Sequence, residues 1–170
     1  FSFPRTSPDG KRLARTTWNH PQMPWDGTEL WTADLSADGS VSNARLVAGG
    51  SKESVFQHEW SPAGVLHFIS DRTNWWNLYC ERNGAIVQLT NMQAEFGAPQ
   101  WIFDLARYAF LSDGRIACTY SSNGLDYIGI LHSDSLEFER LDIPYDTVAD
   151  LRSDGDHHLY CVVASGLTAP

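Results

Sequence analysis

Lysine is almost missing from this sequence, and positive charge as a whole is scarce. Of the 170 residues only Lys11 and Lys52 are lysines, and 12 Lys and Arg residues stand against 21 Asp and Glu, giving a formal net charge of −9. Proteins that bind nucleic acid need clusters of Lys and Arg to neutralise phosphates. A nucleic-acid partner is therefore not expected.

Cysteine is also rare, and long apolar runs do not occur. Cys80, Cys118 and Cys161 form no C-x-x-C pair, which predicts reduced thiols in strands, with a disulfide or a metal site as the alternatives. No apolar run approaches the roughly 18 residues of a membrane helix, and no signal peptide opens the chain. We therefore expect a cytoplasmic protein without a membrane partner. Because the first residue is Phe1 and not methionine, we also expect a piece of a longer protein.

Catalytic and cofactor motifs are missing as well. The G-x-S-x-G pentapeptide of α/β-hydrolases does not occur, and neither do phosphate-binding glycine loops, calcium loops or paired cysteine knuckles. His157 and His158 are adjacent in a predicted hairpin, so their side chains point to opposite faces of a strand, which suits one metal ion poorly. The sequence thus predicts no catalytic residue, no metal and no cofactor in this chain.

What the sequence does contain is one phrase that recurs four times. It reads SPDGKRLARTTW at 7–18, SPAGVLHFISDR at 61–72, SDGRIACTY at 112–120 and SDGDHHLYCVV at 153–163. Glycine, preceded by Asp in three of the four copies, is typical of the tip of a β-hairpin. In the residues that follow, apolar and polar side chains alternate as they do in a β-strand. The glycines of the four tips are separated by 54, 50 and 41 residues. Such a spacing is typical of propeller blades.

The predicted fold is all-β: a partial β-propeller of about three and a half four-stranded antiparallel blades. The blades would run approximately over 1–50, 51–91 and 92–145, with a partial blade at 146–170. Closed propellers typically have about four to eight blades, so the ring is expected to be incomplete in this chain. A twisted sandwich of the same strands is the alternative fold.

The predicted connections differ in composition between the two faces of the disc. Turns between the first and second and between the third and fourth strands share one face, and the other loops share the second face. The first face receives short polar tips, whereas the second receives NHPQMPWDGT, GGSKESVFQ, SDRTNWW and NMQAEFGAPQWIF. Aromatic residues mixed with Arg and carboxylates suit an interface or a ligand-binding mouth. The candidate substrate-contact or domain-interface residues are Trp25, Asp26, Glu53, Gln57, Arg72, Trp75, Trp76, Glu95 and Phe96.

These residues also have structural interpretations. For the loop aromatics, packing within the loops, an interface and direct substrate contact all stay open. Asp71 and Arg72 are adjacent, and such a pair more often fixes a loop than reacts. Tryptophans at predicted strand positions are expected to pack between blades. They are Trp18, Trp31, Trp60 and Trp101.

Longer motifs give a resemblance to a known family. SPDGKRLA and SPAGVLHFISDR resemble the short propeller repeat of TolB-type proteins. WNHPQMPWDGTELW, ESVFQHEWSPAG, SDRTNWWNLY and EFGAPQW together resemble the propeller of the prolyl oligopeptidase family of serine peptidases, near its acylaminoacyl-peptidase and dipeptidyl-aminopeptidase branch. The chain departs from the family pattern at His58, where proline is usual, and at Ala63, where aspartate is usual.

The resemblance implies that catalysis and substrate selection belong to two different domains. The family's Ser-Asp-His triad belongs to a C-terminal α/β-hydrolase domain, which would be the partner of this chain, while the propeller covers the active site and admits short peptides as substrates. This chain alone would be inactive, and no catalytic residue is carried over to it. A further hypothesis is that Glu53 or Glu95 binds the free α-amino group of a peptide, since a carboxylate suits that cation.

Two other functions and one further partner stay open. A TolB-like module would bind a protein and have no enzymatic activity. A propeller enzyme such as a lactonase would bring metal ligands from several blades to the central channel. A second copy of the chain is a further candidate partner, because an incomplete ring exposes blade edges that favour self-association.

Overall fold

The structure, a computed structural model, describes residues 1–156 and 158–166. His157 and positions 167–170 of the expected partial blade lie outside the described residues. The described part contains no helix able to cross a membrane. Its strands, in chain order, are β1 (Ser2–Thr6), β2 (Arg12–Thr17), β3 (Glu29–Leu35), β4 (Val41–Gly49), β5 (Val55–Trp60), β6 (Leu66–Ser70), β7 (Asn77–Arg82), β8 (Ala85–Gln88), β9 (Tyr108–Phe110), β10 (Ile116–Ser122), β11 (Leu125–Leu131), β12 (Phe138–Arg140), β13 (Thr147–Ser153) and β14 (Leu159–Ala164).

The strands form separate antiparallel sheets that follow one another along the chain. β1–β4, β5–β8 and β9–β12 each make a four-stranded sheet in sequence order, and β13 pairs with β14 in a two-stranded sheet. We number these sheets blades 1 to 4, because strands that are neighbours in sequence are also neighbours in each sheet, as in a propeller. The predicted fold class, a partial β-propeller of about three and a half blades, is confirmed.

The repeated phrase forms the turn between the first two strands of a blade. In blade 1 the Ser7 hydroxyl donates to Asp9 at 2.6 Å, and the Gly10 amide donates to the Ser7 carbonyl at 2.8 Å. Gly10 has a φ of 71°, a left-handed conformation that glycine adopts without strain. The Gly64 amide bonds the Ser61 carbonyl at 2.8 Å in blade 2. The sequence motif therefore recurs because each copy forms the turn between the first and second strands of a blade.

The first strands of three blades each contain a β-bulge at a residue with positive φ. Phe3 in β1, Gln57 in β5 and Asp150 in β13 have φ values of 54°, 39° and 53°, and the pairing register shifts around each of them. A bulge bends its strand and redirects the side chains that follow. The residues two positions further on are all charged: Arg5, Glu59 and Arg152.

Charged side chains from all four blades meet where the first strands converge. β1 contacts β5, and β9 contacts β13. Arg5 forms ion pairs of 2.7 Å with Glu59 and with Asp104, which precedes β9. Arg152 approaches Asp104 at 3.3 Å. Burial raises the pKa of the Glu59 carboxyl, while the hydrogen bond from Arg5 opposes this rise. The first strands therefore line the central axis of the propeller.

Apolar side chains fill the space between neighbouring blades. One buried cluster, which includes Phe56 and Tyr120, joins blades 2 and 3, and another, which includes Leu30 and Trp60, joins blades 1 and 2. The Trp60 indole N–H donates to the Arg5 carbonyl at 3.1 Å, so the ring is both buried and hydrogen-bonded. Packing between blades, expected for this tryptophan, is observed.

The expectation for Trp101 is wrong. This residue is 74% exposed and lies in the loop before β9, not in a strand between blades. The strand begins only at Tyr108, because the intervening segment crosses from blade 2 to blade 3. Trp18 and Trp31 are half-buried. Trp101 is followed directly by Ile102 and Phe103, so these apolar residues belong to an exposed loop and not to an alternating strand.

β14 leaves one edge of blade 4 without a partner strand in the described part of the chain. Two apolar side chains on this strand are well exposed, Tyr160 at 57% and Val162 at 62%. An open apolar edge is a template for pairing with a second chain. We expect the isolated chain to self-associate, with a mass in light scattering that rises with concentration. Lysine at both positions should suppress this association, whereas a monomer at every concentration would contradict the expectation.

Candidate functional site

The long connections of blades 1 to 3 lie together on one side of the disc. We call this surface the loop face and define it by residues 18–28, 50–54, 71–76 and 89–107. These segments join second to third strands, or one blade to the next, and therefore share a side in antiparallel sheets. All the candidate residues except Gln57 belong to them.

The loops of blades 1 and 2 are bound to one another on this face. The Ser54 hydroxyl donates to the Pro24 carbonyl at 2.6 Å. A Cβ on Gly27 would lie 2.7 Å from the Gly50 carbonyl oxygen, so glycine alone permits this approach of two backbones. The two loops therefore form one continuous surface.

The tryptophan-rich tip of the first loop packs against the loop before blade 3. The rings of Trp25 and Trp101 have centroids 4.3 Å apart and are tilted by 45°. Asp26 accepts a hydrogen bond from the Met23 amide at 2.9 Å and so fixes the turn that carries Trp25. Packing within the loops is therefore one role of this tip.

An apolar ridge lies beside this contact and was not among the predicted site residues. Trp101, Ile102 and Phe103 are 74%, 64% and 78% exposed, and Trp75 on the neighbouring loop is 38% exposed. Contiguous exposed apolar residues mark interaction surfaces. The sequence does indicate this ridge, because three consecutive large apolar residues follow the segment Gly97-Ala98-Pro99. It is not among the predicted site residues because Trp101 is predicted to lie in a strand.

Glu53 and Arg72 form an ion pair that connects two loops. The Arg72 Nη2 and Nε atoms donate to Glu53 Oε1 at 2.7 and 3.0 Å, and the Ser70 hydroxyl donates to the same oxygen at 2.7 Å. The Arg72 guanidinium also lies over the Tyr79 ring, 5.2 Å from its centroid. Arg72 therefore fixes a loop, as expected, but its partner is Glu53 and not the adjacent Asp71.

Asp71 and Glu95 add two further carboxylates to this part of the loop face. Asp71 accepts a hydrogen bond from the Ser54 amide at 2.7 Å. Burial raises the pKa of the Asp71 carboxyl, the bond from Ser54 opposes this rise, and the charges of Glu53 and Glu95 add to it. No group of three His, Cys, Asp or Glu in the described chain could hold a metal ion. The electrostatic potential of this part of the loop face is therefore negative, but its carboxylates are not arranged to bind a metal ion.

Glu95 has a fixed backbone and a carboxylate with spare acceptor capacity. Its backbone pairs with Ser121 through two hydrogen bonds of 2.9 Å. Its Oε2 accepts a bond from the Trp76 amide at 3.2 Å, and among residues 1–156 and 158–166 no ion pair includes it. An ionised carboxylate can accept about four hydrogen bonds. Of the three carboxylates, Glu95 is the one best able to bind an external cation.

The remaining candidates make contacts within the chain. Gln57 is buried and donates from Nε2 to the Tyr108 carbonyl at 2.8 Å, and Phe96 is buried and stacks on Tyr120 with 5.3 Å between ring centroids. Trp76 is half-buried beneath the loops. The side chains of Gln57 and Phe96 are therefore buried and are not accessible on the surface of the loop face.

Comparisons with known proteins agree with this architecture. A scan against protein-family models found no match, and a search of curated proteins found none either. Among solved structures, puromycin hydrolase is 38% identical over 96% of this chain, with a TM-score of 0.89, and the chain covers 25% of it. A puromycin-hydrolyzing peptidase of Mycobacterium tuberculosis is 36% identical over 91% of this chain, with a TM-score of 0.83, and 23% of it is covered.

Two more distant structures show the fold alone. Prolyl oligopeptidase B from Galerina marginata is 17% identical over 94% of this chain, with 22% of its own length covered and a TM-score of 0.69. TolB from Acinetobacter baumannii is 23% identical over 81% of this chain, with 31% of its own length covered and a TM-score of 0.56. The chain thus spans about a quarter of the enzymes it matches. With its blades and loop motifs, it belongs to the prolyl oligopeptidase family as part of a β-propeller domain.

Proposed function

We propose that this chain is the substrate-gating part of a prolyl oligopeptidase-family serine peptidase that acts on short peptides. The observation that carries the proposal is its similarity, along nearly the whole chain, to two puromycin-hydrolysing enzymes. The catalytic Ser, Asp and His would belong to an α/β-hydrolase domain elsewhere in the same protein, since these 170 residues contain no G-x-S-x-G. A propeller over that domain would exclude water and bulky substrates.

The loop face is the side that we propose to meet the hydrolase domain. It carries the exposed ridge of Trp101, Ile102 and Phe103, with the Glu53–Arg72 ion pair on the same face. Aromatic anchors with a polar surround are typical of interfaces between domains and proteins. The opposite side of the disc consists mainly of short turns with glycine, and the described residues there include the exposed Val41 and Leu136 but no run of exposed apolar residues like that of the ridge.

Glu95 is the residue that we propose to bind the amino terminus of a peptide. Of the two glutamates suggested by the sequence, Glu53 is already neutralised by Arg72 at 2.7 Å. The Glu95 carboxylate, by contrast, accepts its hydrogen bond from the neutral Trp76 amide. An α-amino group would supply the missing positive charge through a charge-assisted hydrogen bond.

Replacing Glu95 with glutamine in the full-length protein is expected to raise KM for peptides with a free amino terminus by roughly tenfold or more, since a charge-assisted hydrogen bond is lost. The change in kcat should be smaller, because Glu95 lies away from the reacting bond. Steady-state kinetics with a peptide and its N-acetylated form measure the effect, and the acetylated peptide should be insensitive to the substitution.

Glu137→Gln is the matched control, because Glu137 is an exposed carboxylate in the turn between β11 and β12. It should leave KM unchanged. Glu53→Gln should alter KM less than Glu95→Gln, since its main effect is to release Arg72 from the loop. An unchanged KM for Glu95→Gln would reject this role for Glu95.

The proposed function is tested by assaying the full-length protein against short peptides and against an unfolded polypeptide. We expect hydrolysis of the short peptides, little hydrolysis of the long chain, and inactivation by a serine-directed fluorophosphonate. A protein that hydrolyses no peptide would contradict the proposal, and so would one that cuts long and short chains equally well. Hydrolysis abolished by a chelator would instead favour a metal-dependent propeller enzyme.

A further inference from the structure

A cleft between blades 2 and 3 lies on the side of the disc opposite the loop face, and the proposed function does not use it. Its lining comes from the turns at 61–65, 111–115 and 132–135 and from adjoining strand ends. The cleft has a volume of about 720 Å³. Sites for small organic ligands typically have volumes of roughly 300 to 1,000 Å³. The cleft is therefore large enough to hold such a molecule.

The strand register of blade 2 brings Arg82 and His67 together in this cleft. His67 in β6 pairs with Cys80 in β7, and Arg82 follows Cys80 by two residues on the same strand. Side chains two positions apart on a strand share one face of the sheet. Arg82 and His67 therefore lie on the face toward blade 3, and both line the cleft. Glu81 lies on the other face, where it pairs with Arg45 of blade 1.

The Arg82 guanidinium is held in the cleft by a neutral group. Its Nη2 atom donates to the Ser133 carbonyl of blade 3 at 3.1 Å. In the portion of the chain that the structure describes, Arg82 forms no ion pair with a carboxylate. Because a guanidinium has five N–H donors, the bond to Ser133 leaves donors for a ligand. Arg82 is therefore an oriented cation whose charge no paired carboxylate neutralises.

His67 contributes to the apolar wall of the cleft. Its ring packs edge-on against Phe110, with 5.0 Å between ring centroids, and its Nδ1 atom donates to the Val65 carbonyl at 3.0 Å. Burial lowers the pKa of His67 to about 4, the bond to Val65 opposes this change, and the charge of Arg82 adds to it. The imidazole is therefore neutral at pH 7. Val65, Phe110 and Ile116 extend the apolar wall.

The hairpin tip of blade 2 differs from the other copies of the repeat by the loss of a carboxylate. Aspartate precedes the glycine in the other three copies, whereas blade 2 has Ala63, which lines the cleft. On the blade 3 side, Asp113 is paired with Arg115 at 2.7 Å, and Asp134 is exposed to solvent. Alanine at position 63 therefore leaves the charge of Arg82 available in the cleft.

We propose that this cleft binds a small organic acid that has one carboxylate and an apolar body. The carboxylate accepts hydrogen bonds from the free N–H groups of Arg82, because a guanidinium matches the two oxygens of a carboxylate. The apolar body packs on Val65, Phe110 and the ring of His67. The C-terminal residue of a peptide has the same chemistry. This site lies on the opposite side of the disc from Glu95 and goes beyond the proposed function.

Calorimetry on the full-length protein tests the proposal with N-acetylphenylalanine, after a serine-directed fluorophosphonate has blocked any catalytic serine. The amide of this acid lacks the negative charge, and acetate lacks the apolar body, so each should bind about tenfold or more weakly than the acid. A tetrapeptide that ends in phenylalanine distinguishes the two sources of the carboxylate. Tighter binding of the tetrapeptide would identify a peptide C-terminus as the ligand, and equal or weaker binding would identify a small acid.

Two substitutions at position 63 give a matched pair of variants. Ala63→Asp restores the aspartate of the other hairpin tips, which suits the turn, and should weaken binding of the acid about threefold or more because like charges repel. Ala63→Asn suits the same turn without the charge and should leave the affinity unchanged. Arg82→Gln should weaken binding about tenfold or more, because a charge-assisted hydrogen bond is lost.

The proposal would be overturned if N-acetylphenylalanine did not bind, or if the amide or acetate bound as tightly as the acid. An affinity for the acid that neither Ala63→Asp nor Arg82→Gln lowers would also overturn it. Arg82→Gln removes a hydrogen bond between blades 2 and 3, whereas Ala63→Asp leaves that bond in place. Weaker binding by Ala63→Asp, but not by Ala63→Asn, therefore reports on charge in the cleft and not on a loosened contact between the blades.

Discussion

Replacing Gln57 with leucine is expected to lower the free energy of unfolding by about 3 to 5 kcal/mol, because buried hydrogen-bonding groups would lose their partners at about 1 to 3 kcal/mol each. Gln57 Oε1 accepts bonds from the Arg107 and Tyr108 amides at 2.6 and 3.2 Å, and Nε2 donates to the Tyr108 carbonyl at 2.8 Å. The Tyr108 hydroxyl donates to the Gln57 carbonyl at 3.0 Å. One side chain therefore joins the first strands of blades 2 and 3.

Gln88→Leu is the matched control for this substitution. The Gln88 Nε2 atom is buried without a hydrogen-bond partner among the described residues, so leucine should be nearly neutral or slightly stabilising there. Urea unfolding of both variants, followed by fluorescence and far-ultraviolet circular dichroism, gives the comparison. If Gln57→Leu lowers the free energy of unfolding no more than Gln88→Leu does, the hydrogen bonds of Gln57 do not stabilise the contact between blades 2 and 3.

Acidification from pH 6.5 to pH 4 is expected to destabilise the fold through two buried histidines. Burial lowers the pKa of His58 to about 4 and that of His67 to about 4. The unfolded chain takes up these protons near the ordinary pKa of about 6.5, whereas the folded chain takes them up only near 4. Stability is therefore complete above pH 6.5 and falls as the pH decreases, by about 3 kcal/mol for each histidine.

Variants separate this effect from the titration of carboxyl groups. Burial raises the pKa values of Glu59 and Asp71, and these groups act in the opposite direction as the pH falls. Urea unfolding at pH 7 and pH 4.5 should show that His58→Leu and His67→Leu each remove about half of the loss, whereas His20→Asn, at an exposed position, removes none. An unchanged acid sensitivity in the double leucine variant would refute the assignment.

The turns and the fold class could be predicted from the sequence because they depend on local chemistry. The Ser-Pro-Asp-Gly tip specifies its own hydrogen bonds between Ser7, Asp9 and Gly10, and the backbone bond from the glycine amide to the carbonyl three residues earlier recurs at Gly64 and Gly114. Strand alternation then fixes the number of blades. The same local logic correctly assigned the loops to two different faces.

The bulges and the charges at the central axis could not be predicted in this way. Phe3, Gln57 and Asp150 adopt positive φ without being glycine, and no turn residue precedes them in a common pattern. Their conformation depends on contacts between blades, such as the bonds from Gln57 to blade 3. Only the folded chain brings together residues as distant in sequence as Arg5 and Asp104.

The candidate site was predicted in part. Sequence proximity suggests a pair between Asp71 and Arg72, but the Asp71 carboxylate accepts the Ser54 amide, and Arg72 instead reaches Glu53 on the neighbouring connection. The apolar ridge was missed because Trp101 was expected in a strand. Both differences arise where loops of different blades meet, which local patterns do not describe.

A crystal structure of the full-length protein would show which side of the disc meets the rest of the protein. We expect Trp101, Ile102 and Phe103 to be buried against an α/β-hydrolase domain, with the opposite side of the disc exposed to solvent and the four sheets arranged around one axis. A loop face open to solvent, with the opposite side of the disc or the blade edges in contact with the rest of the protein, would be the contrary result.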